Sequence, residues 1–474
     1  MTVPLEDEIM KVLLIAPASG KWHGIGRSWL FGGRVFRFSL LSLLSVAADT
    51  PAGVEVQIVD EQVQDIPTGE RFDLVGITCM TAAAPRAYVL ADFFRRRGFP
   101  VVLGGTHPTL MPEEALTHAD AICVGEAEGV WPRIIEDARA GKLKGVYRGV
   151  PRALNSLALP PRQLLDSRHY GTVQAVQATR GCPNRCAFCT VSAFHEGRFR
   201  CRPVSDVVAE VAALPDRFFV FVDDNLTANR DYARELLRAL RPLDKLWISQ
   251  STLDVTDDLE LVRLAAQSGC IGLFVGLETF SAANLVSVEK GFNRVNEYRD
   301  RISTLHAHGI GVEAGIVFGF ERDDPSVFQR TLTALDDLAI DMVQVSILTP
   351  LPGTAFHDSM RVRIFDRDWS HYDFHHVVFE PRRMSAEDLQ AGHDWVTYQF
   401  YRPWRIARRL ARMARRPGSW RVLPYAAAIN LAYYGRTQRW NVRGWDPSGS
   451  ARLRPVGATS ADAGERPRNR RQAA

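Results

Sequence analysis

Short, continuous apolar runs recur through the first third of the chain, at residues 11–17, 54–60, 73–78, 100–104 and 121–125. Most are rich in Val, Ile or Leu, the pattern of strands buried on both faces of a sheet. Amphipathic stretches separate them: residues 38–47, then 88–97, where Val89, Leu90, Phe93 and Phe94 fall on one side and Gly98 supplies a stop. Strands alternating with helices predict a doubly wound parallel α/β sheet over residues 1–140, with ligands at the carboxyl ends of the strands. Those ends carry Thr78, then Gly104, Gly105, Thr106 and His107, then Gly125 and Glu126. Cys79 and Cys123, within or beside apolar runs, read as small buried residues. Residues 20–33, with Trp22, His23 and Trp29, could cover a flat ligand or a neighbouring domain.

Periodicity then lapses. Residues 141–172 include Pro151, Pro160 and Pro161 and read as a linker. Six further runs follow, at 173–179, 218–223, 246–250, 271–278, 312–319 and 342–348, with amphipathic helices such as 206–214, 232–240 and 258–268 between them. Six strand–helix units in a row predict a partial (β/α)6 barrel over 173–360, with chemistry at the strands' carboxyl ends. A helical region follows over 361–446, in which Ser385 and the acidic residues after it look like a capped helix start. The histidine-rich stretch 371–376 reads as a polar loop. Beyond residue 447 the chain is Ala, Gly, Ser, Arg and Pro, and disorder is expected.

Composition narrows the setting. A length of 474 residues exceeds one ordinary core. Seven cysteines, three of them in one motif, rule out a disulfide framework and fit a reducing compartment. The acidic start lacks a signal peptide's pattern, so cytoplasm is the expected location. The net charge of +4 is unevenly placed, since residues 401–445 hold no Asp or Glu while Arg402, Arg405, Arg408, Arg409, Arg412, Arg415, Arg416 and Arg421 crowd there. With Trp404 and Trp420, this segment is either a packed cap over the barrel mouth or a peripheral membrane contact.

The sharpest chemical signal is Cys182-Pro-Asn-Arg-Cys186-Ala-Phe-Cys189. Three thiolates in one loop can bind three irons of a cubane cluster and leave the fourth open, whereas a ferredoxin cluster takes four cysteines. Structural zinc wants four ligands, usually in two pairs. A disulfide would strand one thiol of the three.

This loop resembles that of the radical S-adenosylmethionine (SAM) enzymes, and the resemblance extends through the second domain. It implies a [4Fe-4S] cluster on Cys182, Cys186 and Cys189. It also implies SAM contacts from Asp223, Asp224 and Glu278, with Gly315 and Gly319 beside the adenine. A pair with Lys290 is the structural alternative for Glu278. The strand ends of the first domain are similar to those of cobalamin-binding domains, implying corrin or tail contacts from Thr78, Gly104, Gly105, Thr106, His107, Gly125 and Glu126. No Asp-x-His-x-x-Gly occurs, so a histidine ligand to cobalt is not indicated. The order of parts is that of cobalamin-dependent radical SAM enzymes, and the stretches 221–225, 276–278 and 315–320 look most like the branch of hopanoid methylases and bacteriochlorophyll methyltransferases. The implied activity is methylation of an unactivated carbon of a small hydrophobic or natural-product substrate, through a 5′-deoxyadenosyl radical and methylcobalamin. Cyclisation or rearrangement without methyl transfer is the alternative, and a transfer-RNA methylthiotransferase a more distant one. A flavodoxin- or ferredoxin-type reductant is an expected partner; nucleic acid is not.

Overall fold

The computed structural model describes residues 9–18, 40–155, 157–170, 172 and 174–437. The stretch 20–33 and the tail beyond 447, both singled out above, lie outside them. In the first domain β1 (Met10–Ala16), β2 (Val54–Asp60), β3 (Leu74–Thr78), β4 (Val101–Gly104), β5 (Ala121–Val124) and β6 (Gly145–Arg148) form one sheet in the order β2-β1-β3-β4-β5-β6. Every neighbouring pair is parallel. The chain winds one way from β1 to β2 and the other way from β3 onward, which opens a crevice at the carboxyl ends. Separate apolar clusters cover the two faces, one holding Val75, Ile77, Leu90 and Phe94, the other Leu14, Leu74, Trp131 and Ile134. Two expectations need correction. The stretch 141–172 is not all linker, because β6 extends the sheet from within it. Val89 is 55% exposed, and the helix Ala84–Arg96 buries Ala87, Leu90, Ala91 and Phe94 instead.

The second domain contains β7 (Ala175–Val176), the short antiparallel pair β8 (Thr179–Arg180) and β9 (Arg200–Cys201), then β10 (Phe218–Phe221), β11 (Leu246–Ser251), β12 (Cys270–Glu278), β13 (Gly311–Phe318) and β14 (Met342–Ile347). Six of these make an all-parallel sheet in chain order, β7-β10-β11-β12-β13-β14. Sequential order without a reversal is barrel order, left open between β7 and β14. On β13, Val312, Ala314, Ile316 and Phe318 pack into the main core, so strand alternation puts Glu313, Gly315 and Val317 on the lumen face.

The C-terminal region closes this barrel in two places. An open strand edge carries unpaired N–H and C=O groups. Those of β14 are met one by one: the Tyr401 hydroxyl accepts from Val343 N–H at 3.1 Å and donates to its carbonyl at 2.8 Å, His393 Nε2 donates to the Val345 carbonyl at 3.1 Å, and Ile347 N–H donates to the Phe374 carbonyl at 2.7 Å. Below, helices Pro403–Met413 and Ser419–Thr437 pack Met413, Val422 and Ala426 against Ile271, Phe218 and Leu246, which stand at or near the amino ends of their strands. The arginine-rich segment is therefore a plug at the foot of the barrel, not a cap over its mouth. Arg416 bonds Asp341 at 2.7 Å, and buried Arg409 bonds the Phe400 carbonyl and Asn430.

Candidate active site

The cysteine loop leaves the barrel after β8 and returns through β9, so Thr179 pairs with Cys201 and Arg180 with Arg200 across its neck. Gly181 turns the chain out at φ +82°, and a Cβ there would lie 2.1 Å from the Arg198 carbonyl oxygen, which only glycine avoids. Farther out, Ala187 N–H donates to the Val288 carbonyl at 3.1 Å and its own carbonyl accepts from Phe356 N–H at 2.9 Å. The loop is thus pinned between the segments that follow β12 and β14. Phe188 packs on the barrel core.

The three thiols feel one another. Burial pushes Cys186 up to about 12; the Lys290 ammonium opposes this, while Cys189, Glu278 and Cys182 add to it. Burial also raises Cys182, against hydrogen bonds from Asn184 and Asn225, with Cys189 and Asp224 adding. Cys201 is raised to about 11 by burial and by Asp223, and it stands on β9 opposite Thr179, at the neck and not within the loop. Among the described residues no three His, Cys, Asp or Glu side chains close around a single ion. A cubane, which binds each thiolate on a separate iron, suits such a spread set better than zinc does.

Asp223 and Asp224, alike in sequence, divide in the structure. Asp223 is fully buried, and its carboxylate accepts from Ala178 N–H at 3.1 Å, from Thr179 N–H and from the Thr179 hydroxyl at 2.6 Å. Burial lifts it to about 7 despite these bonds. It ties β10 to the base of the cysteine loop and is spent there, contrary to the expected SAM contact. Asp224 Oδ2 accepts from Gly181 N–H at 3.2 Å, while Oδ1 has no hydrogen bond among the described residues. Its neighbour Asn225, with Nδ2 4.0 Å from Cys182 Sγ, also faces the loop.

Glu278 reaches the lumen through a register shift between Gly276 and Glu278, at φ +62°. Its carboxylate forms a buried ion pair with Lys290, so the structural alternative is realised. Gly276 makes room for the pair, since a Cβ there would sit 2.2 Å from Glu278 Oε1 and 2.7 Å from Lys290 Nζ. Lys290 also stands close enough to the loop for its ammonium to act on both Cys186 and Cys189. In sequence, the only clue to that placement was a lone lysine following a strand that ends in an acid. At Gly315 a Cβ would meet the Phe274 ring at 2.8 Å, so the missing side chain lets that ring lie over the strand. Gly319 faces Phe379 and Leu389, and its N–H donates to Asp323 at 3.0 Å, closing the turn after β13.

On the first domain, Thr78, Gly104, Gly105, Thr106 and Gly125 line a half-buried edge. Gly105, at φ +99°, would bring a Cβ within 2.7 Å of Thr78 Oγ1, and Gly125 N–H donates to Thr109 Oγ1 at 3.0 Å. Such bare backbone suits close approach by a large flat group. His107 does not share that edge. It is buried, with Nδ1 3.3 Å from Thr81 Oγ1 and Nε2 3.0 Å from the Tyr88 hydroxyl, beneath Trp369. Glu126 is also engaged elsewhere, paired with Arg180 and Arg200 of the second domain. Gly353, after β14, packs on Leu110, after β4. The carboxyl ends of both sheets therefore confront each other, with the cysteine loop between them.

The radical SAM superfamily model matches residues 176–335 and the B12 binding domain model residues 32–135. The chain is 32% identical over 393 residues to the bacteriochlorophyllide d C-12(1)-methyltransferase of Chlorobaculum tepidum, covering 80% of this chain and 86% of the relative. It is 24% identical to the hopanoid C-2 methylase of Rhodopseudomonas palustris, over 75% of this chain and 68% of that one. Among solved structures, the radical SAM methyltransferase TsrM of Kitasatospora setae shares the fold with a TM-score of 0.60 at 17% identity, over 85% of this chain and 99% of that chain. The chain belongs to the cobalamin-dependent radical SAM enzymes, in the branch of the C-methyltransferases. The cofactors of that class are a [4Fe-4S] cluster, SAM and cobalamin.

Proposed function

We propose that this enzyme methylates an unactivated carbon on the side chain of a flat, apolar small molecule of the tetrapyrrole kind, as the names of its bacteriochlorophyllide-modifying relatives suggest. The observation that carries the reading is the confrontation of the glycine-lined edge of the first sheet with the three-thiol loop of the second. In this reading Cys182, Cys186 and Cys189 hold the cluster. Asp224 Oδ1 receives the SAM ammonium in a charge-assisted hydrogen bond, and the Glu278–Lys290 pair borders the same pocket. Phe274, lying over Gly315, offers a flat face against which adenine stacks. Thr78, Gly104, Gly105, Thr106 and Gly125 line the cobalamin site. The bound groups supply the hard chemistry, hydrogen abstraction through reductively cleaved SAM and methyl delivery through cobalamin, while the protein holds and orients them.

Anaerobic reconstitution with iron, sulfide and cobalamin, followed by absorbance spectroscopy, tests the two sites. Turnover with methyl-labelled SAM tests the reaction. Label in the product supports methylation. Deoxyadenosine without labelled product would instead favour ring closure, the activity named for the magnesium-protoporphyrin cyclase relatives at about a quarter identity. A small one-electron donor protein would supply the reducing equivalent. The exposed Trp404 and Trp420, each under an arginine, make the foot of the barrel a candidate for contact with an anionic membrane surface.

A further inference from the structure

Glu126 stands just beyond β5 on the cobalamin-type sheet, and its side chain is 9% exposed. Its Oε2 accepts from Arg180 Nη1 and from Arg200 Nη1, both at 3.1 Å, and Oε1 pairs with Arg200 Nη2. His195 Nδ1 lies 3.7 Å from Oε1. Arg180 also pairs with Glu128 and donates from Nε to Gln177 at 2.8 Å, while Arg200 Nη1 reaches the Arg152 carbonyl at 2.7 Å. Burial would push the Glu126 carboxyl up, but the Arg200 hydrogen bond and the charges of Arg180, Arg200 and His195 hold it below the usual range.

The placement of these arginines matters more than their number. Arg180 and Arg200 are directly paired in β8 and β9, so they form the neck through which the cysteine loop leaves and re-enters the barrel. One carboxylate of the first domain therefore grips both ends of the loop that bears the thiols. Two glutamates against two arginines balance the buried charge, and removing one partner would leave the rest uncompensated.

We infer that Glu126 is a positioning residue that sets the spacing between the cobalamin edge and the cluster loop. The latch comprises Glu126, Glu128, Arg180 and Arg200, and this inference rests on the methyltransferase reading above. A substrate carbon activated on one side must meet the methyl donor on the other, and misplacement on the ångström scale loses such a reaction. Without the latch, radicals still form but are not followed by methyl transfer.

The test compares the reconstituted full-length enzyme with Glu126→Gln, Glu126→Asp and Arg200→Gln, the last severing one arm only. Iron and cobalamin per chain are measured first, then methylated product per deoxyadenosine, and then hydrogen exchange at residues 121–130 and 179–201. The expected result for Glu126→Gln is wild-type cofactor content, faster exchange in both segments, and a product ratio lower by on the order of tenfold to a hundredfold. Glu126→Asp should recover part of the ratio, and Arg200→Gln should fall between. An unchanged ratio with unchanged exchange in Glu126→Gln overturns the inference, as does equal loss of product and deoxyadenosine in all three variants. If the wild type itself makes no methylated product, the functional reading fails, while the exchange data still decide whether the latch exists.

Discussion

Glu313 shows how one side chain can work against its own fold. It faces the barrel lumen, has no hydrogen bond or ion pair among the described residues, and is raised by burial from 4.5 to about 7. The folded state therefore binds this proton more tightly than the unfolded chain does. The stability Glu313 contributes is full below its unfolded value of 4.5 and is lost as pH rises through about 7. Glu313→Gln should accordingly melt higher than the wild type at about pH 8 and differ less at about pH 5. Parallel melting curves across that range would contradict the assignment. The aspartate pair makes a related point. Both look equally suited to an ammonium in sequence, but Asp223 is consumed by the chain that precedes the cysteines and Asp224 is not. Asp224→Ala should therefore weaken SAM binding, measured by equilibrium dialysis, by the roughly 1.5–3 kcal/mol typical of a hydrogen bond to a charged group. Retained affinity would move the ammonium site elsewhere.

Among the elements, β14 depends most on what lies beyond it. A six-stranded barrel has two open edges, and here one is finished by two side chains, Tyr401 and His393, and the Phe374 carbonyl instead of a further strand. Tyr401 is fully buried and serves the N–H and the carbonyl of Val343 together. Tyr401→Phe keeps the ring, and its stacking on Tyr433, but leaves two buried backbone groups without a partner. The expected cost is about 1–3 kcal/mol per orphaned group, seen as a lower denaturation midpoint. An unchanged midpoint would show that water or a shifted backbone replaces the hydroxyl. The positions of β1–β5 and β10–β14 were legible from their apolar runs to within a residue or two. β6 was not, because Gly145–Arg148 is an edge strand in which only Tyr147 is buried. A strand with one buried position leaves no hydrophobic pattern to read.

At the scale of the whole molecule, the two halves are joined on the side where their chemistry lies. Contacts at Glu126, Gly353 and Trp369 all tie the carboxyl end of the first sheet to segments around the mouth of the barrel. The basic plug occupies the opposite end, so a membrane meeting Trp404 and Trp420 would hold the enzyme with its mouth turned away. No described helix is long and apolar enough to cross a bilayer. Deleting residues 438–474 should leave liposome sedimentation unchanged if these tryptophans make the contact, whereas Trp404→Ala with Trp420→Ala should reduce it. No sedimentation of the intact chain with anionic liposomes would sink the membrane reading.

The sequence by itself determined the parts: two parallel α/β units, three clustered thiols, and the resemblance that named the cofactors. These are local signals, carried by periodicity and by spacing within one loop. Tertiary structure alone decided which polar residues remain available. Asp223, Glu126 and His107 each look like ligands when only their neighbours in sequence are visible, yet each is engaged by partners remote in the chain: Ala178 and Thr179, Arg180 and Arg200, and Thr81 and Tyr88. A buried polar group is satisfied by whatever the fold brings to it, and that is settled only once the sheets have packed.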